Sequence, residues 1–247
     1  HVRSRRQRQM CIRDRRYIVG IDEVGRGPLL GDVVTAAVCI DFKKLNDKGE
    51  IDFIKGIKDS KKITSSRKRK LFSTQIKEAC VDYAITSEPP EVIDKINIYQ
   101  ATKKSMEKSL AEILIKLEKK GITPDIVLVD AMKIDGAVRC EALKKADDLC
   151  YTVSCASILA KVYRDEMCEV WDKKYPGYEI KNHKGYATKS HREALIRMGP
   201  CEIHRKSFLN NLEKWKDQSK IIGDSGEDKA AFYLQERGYE IIDRNYK

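Results

Sequence analysis

Two short apolar runs, each ending on carboxylate side chains, constrain the fold of this chain more than any other feature. The first is residues 17–19 (Tyr-Ile-Val), which lead through Gly20-Ile21 to Asp22 and Glu23. The second is residues 125–129 (Asp-Ile-Val-Leu-Val), which end on Asp130. Runs of this kind predict buried β-strands, and the carboxyl ends of such strands are where open α/β sheets bind ligands.

A glycine turn follows the first run. Gly25 and Gly27 tolerate backbone angles that are closed to other residues and let a ligand approach the main chain, while Arg26 offers a guanidinium fork for phosphate. Asp22 and Glu23 point to opposite sides of a strand, so we expect both to reach one cation only if the chain turns immediately. Taken alone, a polar strand exit is the simpler explanation of these residues.

A further acidic pair, Asp147-Asp148, precedes a predicted helix. The candidate site therefore combines four carboxylates from distant parts of the chain: Asp22, Glu23, Asp130 and Asp147. Ligand sets made only of oxygen select hard divalent ions, Mg²⁺ or Mn²⁺, over zinc. We expect these four side chains to meet in the folded protein.

The hydrophobic pattern predicts an α/β fold, in which a sheet is covered by helices. Strands are predicted at residues 17–22, 33–41, 81–87 and 125–130, with a further strand near 149–153. Helices are predicted at 65–80, with Thr64 or Ser65 as N-cap, at 98–120, ended by Gly121, and at 154–174, ended by Pro176-Gly177. Residues 177–217 form a polar, partly helical extension.

The positive charge is concentrated at the start of the chain. The formal net charge is +11, and residues 1–16 contribute seven arginines less Asp14, or +6, which leaves +5 for the rest. An excess of this size is compatible with nucleic-acid binding. We expect residues 1–16 to be a disordered basic tail, since they lack the apolar segment of a secretory signal and resemble translated adapter sequence.

Apolar runs and cysteine spacing indicate where the protein works. No run in the sequence approaches the roughly 20 residues that span a bilayer, so no membrane contact is expected. The eight cysteines lack the two-residue spacing of zinc or redox motifs and are most simply small core residues. We expect a reducing, cytoplasmic setting. The four histidines offer no strong metal-binding set.

Several cationic motifs have two interpretations each. Lys61 either holds a phosphate or belongs to a solvated loop. Lys161 and Arg164 share one face of a predicted helix, and this face either contacts phosphates or is only exposed to solvent. Tyr186 either stacks on a base or sugar or caps the core as an ordinary loop residue, and the second is simpler for the motif alone. His204-Arg205 is similarly ambiguous.

Taken in order, these motifs resemble the ribonuclease HII family, the type 2 ribonucleases H. The resemblance runs from about Tyr17 to Leu209 and rests on the segments GIDEVGRGPL, DSKK, NIYQAT, LVDAM, KADD, SCASILAKVYRD, YPGY, NHKGYATKSH and GPCEIHRKSF. It implies a ribonuclease H-like fold, with a central mixed sheet flanked by helices and a C-terminal helical extension, and a catalytic domain at 17–217. It also implies an endonuclease that cuts the RNA strand of RNA/DNA hybrids and cuts 5′ of ribonucleotides embedded in duplex DNA, leaving 5′-phosphate and 3′-hydroxyl ends.

The same resemblance implies roles for individual residues. The family's metal-binding carboxylates match Asp22, Glu23, Asp130 and Asp147, and two Mg²⁺ or Mn²⁺ ions are expected. The family's substrate contacts match Gly25, Arg26 and Gly27 at the ribose 2′-hydroxyl, Tyr186 at the RNA-to-DNA junction and Lys61 near the phosphates. RNA/DNA hybrid and duplex DNA containing ribonucleotides are the expected partners, no membrane is expected, and the protein is expected to act as a monomer.

Two positions depart from the family pattern. Asp32 replaces a usual proline, and its extra negative charge either alters metal affinity or points into solvent. Ala131 replaces a frequent glycine, a change that we expect to be harmless.

The end of the chain shows a second, shorter similarity. Residues 218–247 are expected to be a linker and the truncated start of a domain resembling the YraN family, which has an endonuclease-like fold. An ordinary amphipathic tail helix is the alternative, and we assign this segment no activity. For the whole chain, the rival function is a non-catalytic hybrid-binding module whose carboxylates form a structural cation site.

Overall fold

The computed structural model describes residues 16–46, 51, 54, 57, 63, 65–136, 138–217, 233 and 237. The predicted contact at Lys61 lies outside these residues. So do residues 1–15 of the predicted basic tail and nearly all of the predicted C-terminal fragment.

Five strands form one mixed sheet in the order β3-β2-β1-β4-β5. The strands are β1 (Tyr17–Val24), β2 (Val33–Asp41), β3 (Asp82–Glu88), β4 (Ile126–Asp130) and β5 (Cys140–Leu143). β2 pairs antiparallel with β1 and β3, whereas β4 pairs parallel with β1 and β5. The mixed sheet confirms the predicted fold class, and four of the predicted strands are confirmed to within two residues at each end.

Helices cover both faces of this sheet. They are α1 (Ser66–Ala79), α2 (Pro90–Glu118), α3 (Ala146–Leu149), α4 (Tyr151–Lys174), α5 (Ile180–His183) and α6 (Lys189–Met198). Ser65 is the N-cap of α1, since its Oγ accepts the N–H of Lys68 at 3.3 Å. In the described part of the chain, no helix is both long and apolar enough to cross a membrane.

Helix α2 is kinked at Asn97, which has φ 66° and ψ 165°. The Asn97 Oδ1 accepts the N–H of Gln100 at 3.0 Å and so caps the helix that follows. The predicted helix from residue 98 is therefore confirmed. The helical segment before the kink was not predicted.

The strand predicted near residues 149–153 is wrong. Helix α3 ends at Leu149 and α4 begins at Tyr151, while the fifth strand lies earlier, at Cys140–Leu143. Tyr151 and Val153 are buried against the sheet from within a helix. A short apolar run has the same composition in a buried helix and in a buried strand, so periodicity could not separate the two.

Alternate residues of β1 face the two helical layers. Val19 and Ile21 pack with residues of α2 such as Met106, whereas Ile18 packs with Val153 of α4. Because side chains alternate along a strand, Asp22 lies on the α4 face of the sheet, and Glu23 lies on the α2 face.

A smaller core joins the C-terminal helices to the segment after β1. Leu29 and Leu30 pack with Tyr178, Ile180 and Leu195. This packing confirms the predicted helical extension and holds it beside the glycine turn. Among the described cysteines, Cys39, Cys150, Cys155 and Cys168 are buried and free, as expected of small core residues.

Helix α4 contacts β1 at Gly20. A Cβ built on Gly20 would lie 2.4 Å from the carbonyl carbon of Thr152 and 2.5 Å from the nitrogen of Val153. Since both neighbours are backbone atoms, only glycine allows this approach. The contact fixes the distance between α4 and the strand that carries Asp22.

We expect Gly20→Ala to lower the free energy of unfolding by about 3 kcal/mol or more, because helix and strand must separate to admit the methyl group. Urea unfolding followed by circular dichroism measures the loss. Gly121→Ala is the control: its added Cβ has no atom within 4 Å and meets only the positive φ of 66°, at a cost of about 1 kcal/mol. Equal losses in the two variants would contradict the packing argument.

Candidate active site at the ends of two parallel strands

Asp22 and Asp130 lie side by side at the carboxyl ends of β1 and β4. The two strands are parallel, with Ile21 paired to Val129, so the next residue of each strand is one of these aspartates. Ile126 and Leu128 of β4 pack on the α4 face, and alternation puts Asp130 on that face too. The structure thus brings together two of the four predicted carboxylates.

The Asp22 carboxyl group is held in an unfavourable electrostatic setting. It is only 3% exposed, and burial raises its pKa well above the usual value, with a further rise from the charge of Glu23 and a smaller one from Asp130. Hydrogen bonds from Ser157 of α4 and from the N–H of Glu23 lower the pKa in part. A divalent cation would relieve this repulsion, since it favours the charged carboxylates.

Asp130 is also tied to helix α3, which carries Asp147. The Asp130 Oδ1 accepts the N–H of Ala146 at 2.8 Å, at the first residue of α3. Asp147 is 3% exposed, and its carbonyl oxygen accepts the Oγ–H of Ser154 from α4. The start of α3 is thereby fixed against the end of β4, next to the two strand-end aspartates.

Glu23 approaches the site differently. Strand β1 continues to Val24, one residue beyond Glu23, and the predicted turn begins at Gly25, which has φ +92°. The Glu23 side chain leaves from the α2 face. Its Oε1 lies 3.5 Å from Nη1 of Arg26. In the described ranges, no three Asp, Glu, His or Cys side chains are arranged so that they could hold a metal ion.

The four carboxylates nevertheless fit a divalent cation by their chemistry. Every donor is a carboxylate oxygen, the type of ligand that Mg²⁺ and Mn²⁺ prefer. The pKa of Asp22 is raised first by burial and then by the nearby charges of Glu23 and Asp130, so its charged form lacks compensation in the protein alone. For these carboxylates to bind one ion together, their side chains must rotate, and that of Glu23 must rotate in particular.

The glycine turn lies beside these carboxylates, with the Tyr186 ring next to it. Gly25 has φ +92°, and a Cβ there would lie 2.3 Å from Nε of Arg164. A Cβ on Gly27 would lie 3.5 Å from the Tyr186 ring. Tyr186 is 45% exposed, so its ring is available to a ligand and is not a cap on the core.

Two buried arginines, Arg164 and Arg205, support this turn, and the sequence did not predict their burial. Arg205 is 0% exposed and donates hydrogen bonds to four backbone carbonyls of the turn. The acceptors are Gly25 at 2.6 Å, Arg26 at 3.0 Å, Pro28 at 2.8 Å and Gly31 at 2.9 Å. Burial lowers the pKa of Arg205 to about 9, and the charge of Arg164 adds to the effect, so the guanidinium stays protonated at neutral pH.

Arg164 joins the segment that follows the glycine turn to the loop that precedes Tyr186. It donates to the carbonyls of Leu30 at 3.1 Å, Asp32 at 3.1 Å and Lys184 at 2.9 Å. Both predicted roles for Arg164, a phosphate contact and a solvated side chain, are therefore wrong. Lys161 forms an ion pair with Asp165 at 2.6 Å. A spacing of three residues revealed the shared helix but not which side faced the interior.

Asp32 faces the arginines. Its Oδ2 accepts the hydroxyl of Ser87 at 2.7 Å. Burial raises the pKa of Asp32, while the Ser87 hydrogen bond and the charges of Arg164 and Arg205 lower it. The predicted placement in solvent is therefore wrong, while an effect of the Asp32 charge on metal affinity stays a prediction. Asp32 instead places a negative charge near two buried positive ones.

Ala131, which follows Asp130, has φ +52°. A non-glycine residue costs about 1 kcal/mol in this left-handed region. The replacement of glycine is therefore small in volume but not free of backbone strain, contrary to our expectation.

Two histidines, His191 and His204, form a buried hydrogen-bonded chain that starts at the Tyr186 carbonyl, and a third, His183, stacks on it. The Tyr186 carbonyl accepts Nδ1–H of His191 at 2.9 Å, so His191 Nε2 is left to accept Nε2–H of His204 at 3.1 Å. His204 Nδ1 then accepts the N–H of Cys201 at 3.0 Å. His183 stacks on His191 with centroids 4.2 Å apart. The bonds require neutral rings, and burial lowers the pKa of His191 and of His204 to about 4.

Comparisons with known proteins find similar sequences along most of the chain. The sequence model of the family described as ribonuclease HII matches residues 19–211. Ribonuclease HII of Alkaliphilus metalliredigens is 44% identical over 197 residues, which are 80% of this chain and 92% of that protein. Ribonuclease HII of Caldicellulosiruptor bescii is 44% identical over 198 residues, which are 80% of this chain and 88% of that protein.

Solved structures share the fold. Ribonuclease HII from Archaeoglobus fulgidus, solved in complex with PCNA, has a TM-score of 0.61 at 27% identity, over 79% of this chain and 96% of that one. Bst ribonuclease HIII, solved in complex with Mn²⁺, has a TM-score of 0.66 at 20% identity, over 83% of this chain and 70% of that one. The second likeness concerns the fold alone.

The histidine chain predicts a loss of stability in mild acid. Unfolded histidines take up protons below pH 6.5, whereas His191 and His204 resist protonation until about pH 4. The free energy of unfolding present above pH 6.5 should therefore fall across this window, by up to about 3 kcal/mol for each of the two histidines. Urea unfolding at a series of pH values measures the slope. His191→Asn should flatten it, and a slope equal to that of the parent would contradict the prediction.

Asp22→Asn should stabilise the protein in metal-free buffer at pH 7. The raised pKa means that the stability due to Asp22 is present at low pH and is lost as pH rises through the folded-state pKa. Removing the charge should raise the free energy of unfolding by about 1 kcal/mol and Tm by roughly 2–4 °C. The exposed Asp148→Asn is the matched control, with little expected change. A lower Tm for Asp22→Asn than for the parent would refute this account.

Proposed function

The chain belongs to the ribonuclease HII family and is an endoribonuclease that acts on RNA/DNA hybrids, and we propose that it also cuts 5′ of ribonucleotides embedded in duplex DNA. The products would carry 5′-phosphate and 3′-hydroxyl ends. The observation that carries this proposal is the position of Asp22 and Asp130 at adjacent strand ends, beside a glycine turn that the Tyr186 ring partly covers.

We assign Asp22, Glu23, Asp130 and Asp147 as the residues that would hold two Mg²⁺ or Mn²⁺ ions. When bound, the ions would activate the attacking water and stabilise the leaving oxygen. The chain contributes orientation: Ser157 holds Asp22, and the Ala146 N–H holds Asp130. Both contacts come from helices fixed against the sheet, which keeps the carboxylates in place for the reaction.

Recognition of ribose is assigned to the glycine turn. The missing side chains at Gly25 and Gly27 let a sugar approach the main chain, whose polar groups can bond the 2′-hydroxyl, the group that distinguishes RNA from DNA. Arg26, with its side chain 42% exposed, can reach a phosphate. The exposed ring of Tyr186 can stack on the sugar on the deoxyribose side.

We further propose that residues 17–217 form the catalytic unit and act as a monomer. Residues 1–16 and 218–247 are given no part in the reaction. Lys61 is assigned to the substrate phosphates on the family resemblance alone.

The direct experiment measures nicking of an end-labelled duplex DNA that contains one ribonucleotide, with Mg²⁺ or Mn²⁺. A single cut on the 5′ side of the ribonucleotide is expected. Asp130→Asn should slow cleavage by at least roughly 10³-fold, since one ligand charge is lost. The neighbouring surface variant Asp148→Asn should cleave like the parent.

Two outcomes would overturn the proposal. Cleavage of long hybrids without cleavage at the single ribonucleotide would remove the embedded-ribonucleotide activity. Binding of both substrates without cleavage under either metal would indicate a non-catalytic hybrid-binding module.

A further inference from the structure

Arg205 binds the side of the glycine turn that faces the interior. Its Nη2 donates to the carbonyl of Gly25 and its Nη1 to the carbonyl of Arg26, the two consecutive peptide units at the tip of the turn. No cis peptide bond occurs among the described residues. In a trans peptide unit the N–H points opposite to the C=O. The N–H groups of Arg26 and Gly27 therefore point away from Arg205.

These two N–H groups are free to bind a ligand. Among the described residues, no hydrogen-bond acceptor contacts the N–H of Arg26 or Gly27. The absent side chain of Gly27 leaves room beside the Tyr186 ring, which lies 3.5 Å from the position of a Cβ. Two adjacent donors and an aromatic surface thus face the same space.

We propose that Arg205 is a positioning residue for ribose recognition: it draws the carbonyls of Gly25 and Arg26 inward and so directs the N–H groups of Arg26 and Gly27 toward the 2′-hydroxyl. This inference rests on the proposed function of the turn. Arg205 itself does not touch the substrate, since it is fully buried.

The chemistry of the side chain suits this role. A guanidinium holds five N–H donors in one rigid plane, and here Nε, Nη1 and Nη2 all bind carbonyls of a single turn. A lysine ammonium keeps the charge but concentrates three donors on one atom. It cannot bind four carbonyls spread around a plane.

The same residue connects the turn to the tyrosine loop. The Arg205 N–H donates to the carbonyl of Leu29 at 2.8 Å, and the Leu29 N–H donates to the carbonyl of Gly185 at 2.8 Å. Gly185 directly precedes Tyr186. Arg205 therefore fixes both the donors and the aromatic ring of the ribose pocket.

Leu117 provides a control for the loss of stability. Arg164 cannot serve, because it borders the turn: a Cβ on Gly25 would lie 2.3 Å from its Nε. Leu117 is fully buried in helix α2, in a core cluster that includes Val19 and Val127 and no residue of the glycine turn. Leu117→Ala should thus lower stability by leaving a cavity in the core, while only Arg205→Lys misdirects the donors.

The test compares Arg205→Lys and Leu117→Ala with the parent for binding in Ca²⁺, on duplex DNA with one ribonucleotide and on the same duplex made only of DNA. We expect Arg205→Lys to lower the ratio of the two affinities by ~10-fold. Leu117→Ala should keep the parent ratio although it also lowers Tm. A parent-like ratio in Arg205→Lys would overturn the proposal and leave Arg205 a purely structural residue.

A second measurement on the parent covers the case in which Arg205→Lys does not fold. By NMR, the amide protons of Arg26 and Gly27 should exchange rapidly with solvent and shift on addition of the ribonucleotide duplex, but not of the DNA duplex. Protected amides, or equal shifts with both duplexes, would overturn the proposal. If the parent binds both duplexes equally and does not cleave, the proposed function itself has failed.

Discussion

The parallel pairing of β1 with β4 is the constraint from which the arrangement of the site follows. Parallel strands end at the same edge of a sheet, and the register that pairs Ile21 with Val129 puts two aspartates next to each other on one face. Helix α4 must then lie close enough for Ser157 to reach Asp22, which the absent side chain of Gly20 permits. A register shift of one residue would turn one aspartate to the opposite face.

The buried negative and positive side chains of the site differ in how far their charges are compensated. The aspartates at the strand ends are crowded, and the raised pKa of Asp22 records the cost to the folded state. The two buried arginines are instead surrounded by carbonyls, which replace much of the hydration that they lose. The unfavourable arrangement thus lies where we propose that a cation binds, and a well-bonded frame lies beside it, a common pattern at functional sites.

The elements with strong local signals were predictable from the sequence. The β-branched run before Asp130, and the Ser65 cap, needed no knowledge of distant neighbours. The run at residues 149–153 was wrongly predicted as a strand, because a buried helix and a buried strand can have the same composition. Arg164 and Arg205 were not recognised as buried because most of the carbonyls that they bind lie 130 or more residues away in the chain. The opposite faces of Asp22 and Glu23 followed from strand alternation, but β1 ends two residues later than predicted, since strand ends are poorly encoded locally.

The contact between Arg205 and Gly25 spans 180 positions of the chain. A ribosome releases the glycine segment early, whereas the guanidinium that shapes it emerges only after the whole sheet has been made. Long-range contacts of this kind form late, because the intervening chain must first be ordered. The turn to which we assign ribose recognition is consequently completed late, so an unfinished nascent chain can contain the acidic strand ends before the turn has its final shape.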